Sequence, residues 1–578
     1  MSEATPQAQR PRALPAVLIA LSLGLIGAAS VSMARSMGYD EAMHAELPAA
    51  RMAVAAQMGE GSNFFDALLG CQQYPFGYPF LLACVQWIGG VSEFACRATG
   101  RMLWAFALLG IFLVARELVR GWPSKGAPGP SSLNWMPWIA MALAAISPLA
   151  LSYSGTLFLE VPFTTVAVFA TYAWLRRRAD DQRSKPRADV IAGAMLALGL
   201  FTKFNYGGLL ALGCALDFAL EGVSALRSRT LGPWLRSAAR IIAVPCLALL
   251  WWFGLPLPAG LETAASHRTA FLGFLGGNLD FKPTPYGERL FDWGVGLFLS
   301  PRLAILCAIA ALLALRHWRA RALQTVVILG ACSIAPVAFH PFHEDRFLLP
   351  GAPFVWIAAA LGICSVLPRS IRWRAGVLAG LALLCLTRAD IDGQRLMDWS
   401  FPSAETRPEV LQYRRAILEE RISLAPSRLL RTAGLAREES DAILDALAAE
   451  VGPEARVGWL AAVEKIPPGA LQVGLLTRAG SRARLLEDPT GSMLFGVTGQ
   501  DPAWDDARLA AACANFDVII ASDPPAALGA GPWKFLGDYR TRLTGTLGYT
   551  EREFAKVVLQ PPLGTAREVR LLALRRSP

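Results

Sequence analysis

With 578 residues, 54% of them hydrophobic and only 17% charged, the chain is too apolar for an ordinary soluble protein of its length; its mean hydropathy is +0.39. The net charge of +10 does not point to nucleic acid, because the arginines fall in short clusters between apolar runs and no basic-aromatic face forms. Ten cysteines without CxxC or Cys/His spacing argue against a disulfide framework or a zinc site; Cys214, Cys246, Cys307, Cys332, Cys364 and Cys385 lie in or beside apolar runs, where the thiol behaves as a small hydrophobe.

Apolar runs follow one another at about 13–33, 76–92, 98–119, 134–152, 157–175, 188–202, 207–221, 238–255, 291–315, 322–339, 347–367 and 374–388. The first is longer than the roughly 7–15 residues of a signal-peptide core and reads as a retained span. Every second gap is basic: Arg116/Arg120/Lys125, Arg176/Arg177/Arg178 through Arg187, Arg227/Arg229/Arg236/Arg240, Arg316/Arg319/Arg321 and Arg369/Arg372/Arg374. The gaps between them, SYSGTLFLE, FNYGG, 256–290 and HPFHEDRF, are poor in basic residues. This is the pattern of cytoplasmic and outer loops.

Arg10 and Arg12 put the N-terminus in the cytoplasm, and the alternation holds only if one run before residue 98 does not cross. FGYPFLLACVQWIGGVS, short and rich in Gly and Pro, is that run and reads as an interfacial or re-entrant helix. The expected architecture is an α-helical polytopic membrane domain over 1–390, with about eleven transmembrane helices. A soluble α/β domain over 391–578 should follow on the extracytoplasmic side, where ARVGWLAA, FDVIIASD and EVRLLALRR read as strands and EESDAILDALAAEV and AWDDARLAAACANF as helices.

The outer ends of the spans collect ionisable groups, which are costly at membrane depth and so mark function by default. Asp40 and Glu41 follow the first span in SMGYDEAMHAEL, where solvated flanking acids would also sit. Glu160 opens a span in YSGTLFLEVPF, a place that also suits a helix-start acid. Lys203 ends one span and precedes the next, as a snorkelling anchor also could, and Arg346 in HEDRFLLPGAPF has the same alternative. Tyr39, Tyr74, His267, His340 and His343 are further substrate-pocket candidates. The HxxH spacing of His340 and His343 is a weak metal signal, and no metal site is expected. A carboxylate here could act as general base on a hydroxyl, while fixed cations could hold a lipid phosphate and stabilise it as leaving group.

These motifs, in order, resemble the GT-C glycosyltransferases: the first span followed by GYDE, then QQYPFGYPFLLACVQWIGGVSEFACRATGR, SPLALSYSGTLFLEVPF, LGLFTKFNYGGLL and HEDRFLLPGAPF. Within that superfamily they are similar to the aminoarabinose-transferase and protein-mannosyltransferase group and its RgtA/B/C/D-like branch, through roughly residues 10–390. The resemblance implies an inverting enzyme of the inner (cytoplasmic) membrane that takes a sugar from a polyprenyl-phosphate donor on the outer face. Its partners would be membrane lipids and the lipid-linked sugar, with no nucleic acid; the polyprenyl-phosphate sugar is the donor substrate, and whether a divalent metal assists is left open. By motif, Asp40 matches the first-loop catalytic acid, Glu41 its acidic neighbour, Glu160 the second acid, Lys203 the lysine of the Thr-Lys motif implicated in gripping the donor phosphate, and Arg346 the basic residue before Leu-Pro. The chain departs from the family in carrying Glu in LEVP where an Asp follows Leu-Pro, and in lacking the Lys/His-Pro-Pro element at QQYPFGYP. The alternative, a lipid or sugar transporter or flippase, would be expected to show internal repeats and midplane charges, and the sequence has no evident repeat.

Overall fold

The computed structural model describes most of residues 13–366 and 435–576. Outside that description are 1–12, 34–35, 39–40, 72–73, 123–132, 180–184, 279–295, 339–344, 367–375, 381–434, 479–502, 527–534, 560–566 and some shorter stretches. The helices run in order α1 (Ala13–Ala29), a π-helical turn (Ala42–Glu46), α2 (Leu47–Gln57), α3 (Gly61–Leu69), α4 (Gly77–Gly89), α5 (Glu93–Arg120), α6 (Met136–Ala145), α7 (Pro148–Ser154) and α8 (Glu160–Ala179). They continue with α9 (Lys185–Thr202), α10 (Phe204–Arg227), α11 (Leu231–Gly254), α12 (Leu261–Asn278), α13 (Pro301–Ala314), α14 (Arg321–Ala338) and α15 (Ala352–Val366). After residue 434 come α16 (Arg437–Glu450), β1 (Val457–Ala462), α17 (Pro468–Thr477), α18 (Asp506–Cys513), β2 (Val518–Ala526), α19 (Phe535–Gly545), β3 (Tyr549–Leu559) and β4 (Arg567–Arg576).

The chain forms two compact units, and the division is not a simple cut into front and back. The first comprises 1–31, 65–80 and 97–427; the second comprises 32–64, 81–96 and 428–578.

The first unit is the membrane-type bundle. Among the described residues α5, α10 and α11 meet a strict test of length and hydropathy for crossing a bilayer, and α1 and α15 are shorter apolar helices. Leucines and isoleucines on α1, α10 and α11 remain exposed, as lipid-facing side chains do. Against this, α4 has only 13 residues, about 20 Å of helix where the hydrocarbon core needs about 30 Å. A short helix thus stands in the run 76–92, where a non-crossing element is expected. The run 134–152, read as one span, is two helices bent by 62° at Ser147–Pro148. Pro148 cannot continue a hydrogen-bond ladder, and Ser147 Oγ caps the new helix by accepting from the Ala150 amide. The segment 256–290, read as a loop, contains α12. The run 374–388 lies almost wholly outside the described residues.

The second unit carries a four-stranded sheet in the order β1–β2–β4–β3, with β1 and β2 parallel and the other pairs antiparallel. Alternation along the strands buries both faces. Ile443, Leu447, Leu471, Val518 and Leu571 belong to one apolar cluster, and Leu509, Ile519, Leu536, Tyr539 and Leu574 to the other. The three strands and two helices expected from sequence are present; β3, α17 and α19 complete the fold.

Candidate active site

Within the first unit, three of the expected residues meet. Glu160 is the first residue of α8 and has no solvent exposure. Lys203 sits between α9 and α10 with extended backbone (φ −158°, ψ 111°), so the apolar hairpin breaks at the one charged residue it holds there. The break is held closed by Gly207: a Cβ on it would stand 2.6 Å from the Leu200 amide nitrogen, which only glycine avoids. Lys203 Nζ donates to Glu160 Oε1 at 2.6 Å, and Arg346 Nε lies 3.8 Å from the same oxygen. All three side chains are at least nine-tenths buried.

Aromatic rings line this cluster. Lys203 Nζ stands 5.1 Å from the Tyr206 ring centre, 5.5 Å from Phe347 and 5.6 Å from Tyr74. The Arg346 guanidinium lies 4.1 Å from the centre of Phe158 and 5.4 Å from Phe347. The rings give the cations soft partners that a harder anion can displace. Glu160 Oε2 has no hydrogen-bond partner among the described residues. In a satisfied structural pair both carboxylate oxygens would be occupied; here, among the described residues, only Oε1 is hydrogen-bonded.

The turn that delivers Glu160 is fixed from α5. Arg101 donates to Leu151 O at 2.6 Å and Ser154 Oγ at 2.8 Å, and Arg97 to Gly155 O at 3.1 Å. The two guanidiniums thus satisfy carbonyls at the C-terminal end of α7, where a helix presents its negative end. Sequence reasoning passed over both arginines, because an arginine at the end of a span reads as an anchor. Tyr206, Phe158 and Phe347 were missed too, although each lies within three residues of a charged group already singled out.

The remaining candidates fall elsewhere. Glu41 belongs to the second unit, is buried, and accepts from the Gly38 amide through Oε2 at 3.0 Å. His267 is buried in the first unit, stacked on Trp252 at 3.9 Å, with Nδ1 3.0 Å from Trp252 O and Nε2 2.7 Å from Leu69 O. Both ring nitrogens are therefore engaged, tying α12 to α11 at Trp252 and to the end of α3 at Leu69. Tyr39, Asp40, His340 and His343 lie outside the described residues. No cluster of three or more His, Cys, Asp or Glu suited to a metal occurs among the described residues.

At the other end of α8 lies a different kind of charge cluster. Arg177 pairs with Glu221 at 2.7 Å, while Asp217 accepts from Trp174 Nε1 at 2.7 Å and from Thr325 at 3.1 Å and pairs with Arg321 at 2.9 Å. This network staples α8, α10 and α14 together with its acids fully engaged.

No family model matches the sequence, and no curated protein matches it. The fold does have relatives among solved structures. ArnT from Cupriavidus metallidurans bound to undecaprenyl phosphate superposes with a TM-score of 0.57 at 14% identity, over 97% of this chain and 98% of that one. Its apo state gives 0.56 at the same identity and coverage. The arabinofuranosyltransferase AftD from Mycobacteria gives 0.54 at 16% identity over 99% of this chain, which spans 40% of that longer protein. These likenesses show that the chain shares the fold of those proteins, largely helical with apolar candidate spans and a small mixed sheet near the C-terminus.

Proposed function

We propose that the chain is an inverting glycosyltransferase that moves a sugar from a polyprenyl-phosphate donor to a lipid, glycan or protein acceptor at the outer face of the cytoplasmic membrane. The observation that carries this reading is the buried Lys203–Glu160 pair, with one carboxylate oxygen open and the ammonium held by aromatic rings rather than by a second acid. Such a site suits a phosphate at the end of an apolar tail. Its oxygens would take the N–H groups of Lys203 and Arg346, each charge-assisted bond worth about 1.5–3 kcal/mol. The same cations would stabilise the phosphate as the sugar C1–O bond breaks and the electron pair leaves with it. Glu160 Oε2 would accept from a substrate hydroxyl, and Glu160 clamped by two cations is better suited to orienting than to taking a proton. The proton of the acceptor hydroxyl is assigned to Asp40, with Glu41 in support, so that attack opposite the phosphate inverts the anomeric centre. The ArnT structure is of a protein bound to undecaprenyl phosphate, a ligand of the same chemistry.

Measuring transfer against donor concentration tests this. Lys203→Ala should raise the apparent donor requirement about ten- to a hundredfold, the value of one charge-assisted bond. Unchanged donor dependence in folded Lys203→Ala protein would reduce Lys203 to a packing residue and remove the reading.

A further inference from the structure

The second unit joins sequence segments that lie hundreds of residues apart, and the joint is made around the first-loop acid Glu41. On its N-terminal side, the Ser36 amide donates to Leu435 O at 2.9 Å, and Arg437 Nε donates to Met33 O at 3.1 Å. The same guanidinium reaches Glu93 at the start of α5, Nη2 to Oε2 at 2.7 Å, so one side chain ties the first loop, α16 and α5. On the C-terminal side, the π-helical turn Ala42–Glu46 packs on α17. A Cβ on Gly469 would stand 2.7 Å from Met43 Sδ and 3.2 Å from the Ala42 carbonyl carbon, so a side chain there must push Met43 aside and crowd the turn's backbone. One turn further along, Arg51 Nη2 donates to the buried Gln472 Oε1 at 3.4 Å. Glu41 itself is 3% exposed, Ala42, Ala45 and Glu46 not at all.

We propose that Arg437 and Gly469 are positioning residues for the first-loop carboxylate, and that the C-terminal unit works as the frame holding the turn around Glu41 rather than as an appended tail. The inference rests on the proposed reading of the first loop as catalytic. Rigid support of this kind has a kinetic signature. A carboxylate displaced by about 1 Å can lose on the order of a hundredfold in rate while substrate binding elsewhere is untouched. The donor-binding groups Lys203, Glu160 and Arg346 all belong to the first unit. Damage to the frame should therefore lower kcat and leave the donor KM alone.

The full-length chain in membranes, supplied with a polyprenyl-phosphate sugar and assayed at matched folded protein, provides the test. Arg437→Gln and Gly469→Val should each lower kcat about ten- to a hundredfold with donor KM unchanged. Arg437→Lys should recover part of the loss, and Met43→Ala should partly rescue Gly469→Val by removing the sulfur that the new side chain strikes. Glu41→Gln is the companion measurement. If it transfers at the wild-type rate, the supporting role given to Glu41 fails, whatever the other variants do, and the part of the reading that rests on Asp40 is tested separately by Asp40→Asn. If Glu41→Gln is impaired while Arg437→Gln and Gly469→Val turn over normally, or lose donor binding in step with kcat, the positioning role is overturned.

Discussion

Lys203 and Glu160 are buried against each other, with Arg346 3.8 Å from the same carboxylate, so removing either one unbalances buried charge. Loss of one partner of a buried pair costs about 3–5 kcal/mol, whereas replacing both with uncharged groups of similar size is often neutral. Glu160→Gln and Lys203→Met should therefore each lower the thermal unfolding temperature of the detergent-solubilised chain, Glu160→Gln the more because it leaves Lys203 and Arg346 as two buried cations, and the double variant should regain part of the Glu160→Gln loss. The donor requirement should stay raised in the double variant, because stability needs only neutralisation whereas phosphate binding needs the ammonium. Recovery of the wild-type donor requirement along with stability would mean that the pair is architectural. The pair was legible in the sequence because an acid opening one apolar run and a lysine splitting two others have few bland explanations. Arg97 and Arg101 were not, since the carbonyls they satisfy at Leu151 and Gly155 lie about fifty residues away, and nothing local announces them.

At the scale of elements, hydrophobic runs foretold most helices, and the misses have physical causes. The break at Ser147–Pro148 is written in the sequence as a capping serine and a proline, but the apolar residues on both sides hide it. The helix Leu261–Asn278 mixes polar and apolar residues without a clear stripe, so periodicity gives no signal. Strand β3, TEREFAKVVL after its first Tyr, is charged along much of its length because it is an edge with one exposed side. The same sheet holds a titrating staple. Asp523 at the end of β2 is bonded to Arg570 of β4 and lies 3.3 Å from Arg540 of α19. Burial pushes its carboxyl up, but the Arg570 hydrogen bond and the Arg540 charge outweigh this and hold it below the ordinary carboxylate range. A folded-state value below the unfolded one stabilises above the unfolded pKa of about 4 and is lost as pH falls through the folded value. Protection of the β2 and β4 amides in the whole chain, measured relative to the intrinsic exchange rate at each pH, should therefore fall on acidification below about pH 4. Asp523→Asn, already lacking the charge, should exchange faster at neutral pH and show a smaller acid-dependent change; an acid response as steep as the wild type would place the titration elsewhere.

At the scale of the whole molecule, α8 joins the two kinds of charge cluster. Glu160 opens it, and Arg176, Arg177 and Arg178 close it, separated by about 25 Å of helix, nearly the hydrocarbon thickness of about 30 Å. From the charge alternation the arginine end is expected in the cytoplasm and the glutamate end at the outer face. What the sequence could not reveal is that 32–64 and 81–96 belong with 428–578, because that association depends on single contacts such as Arg437 with Glu93. Membrane sidedness can be read with introduced cysteines. Ser62 and Arg187 are both exposed, the first in the first outer loop and the second in the arginine-rich gap. Native Cys84, Cys246 and Cys332 would be replaced by serine, being exposed or partly so, as would Cys385, which lies outside the described residues. Cys513 can stay, because burial pushes its thiol up to about 12 and leaves almost no thiolate to react at neutral pH. In intact cells an impermeant maleimide should label Ser62→Cys and spare Arg187→Cys, which should react only after permeabilisation. Labelling of Arg187→Cys from outside would invert the topology and carry Glu160 and Lys203 to the cytoplasmic face, where a donor presented at the outer surface could not reach them.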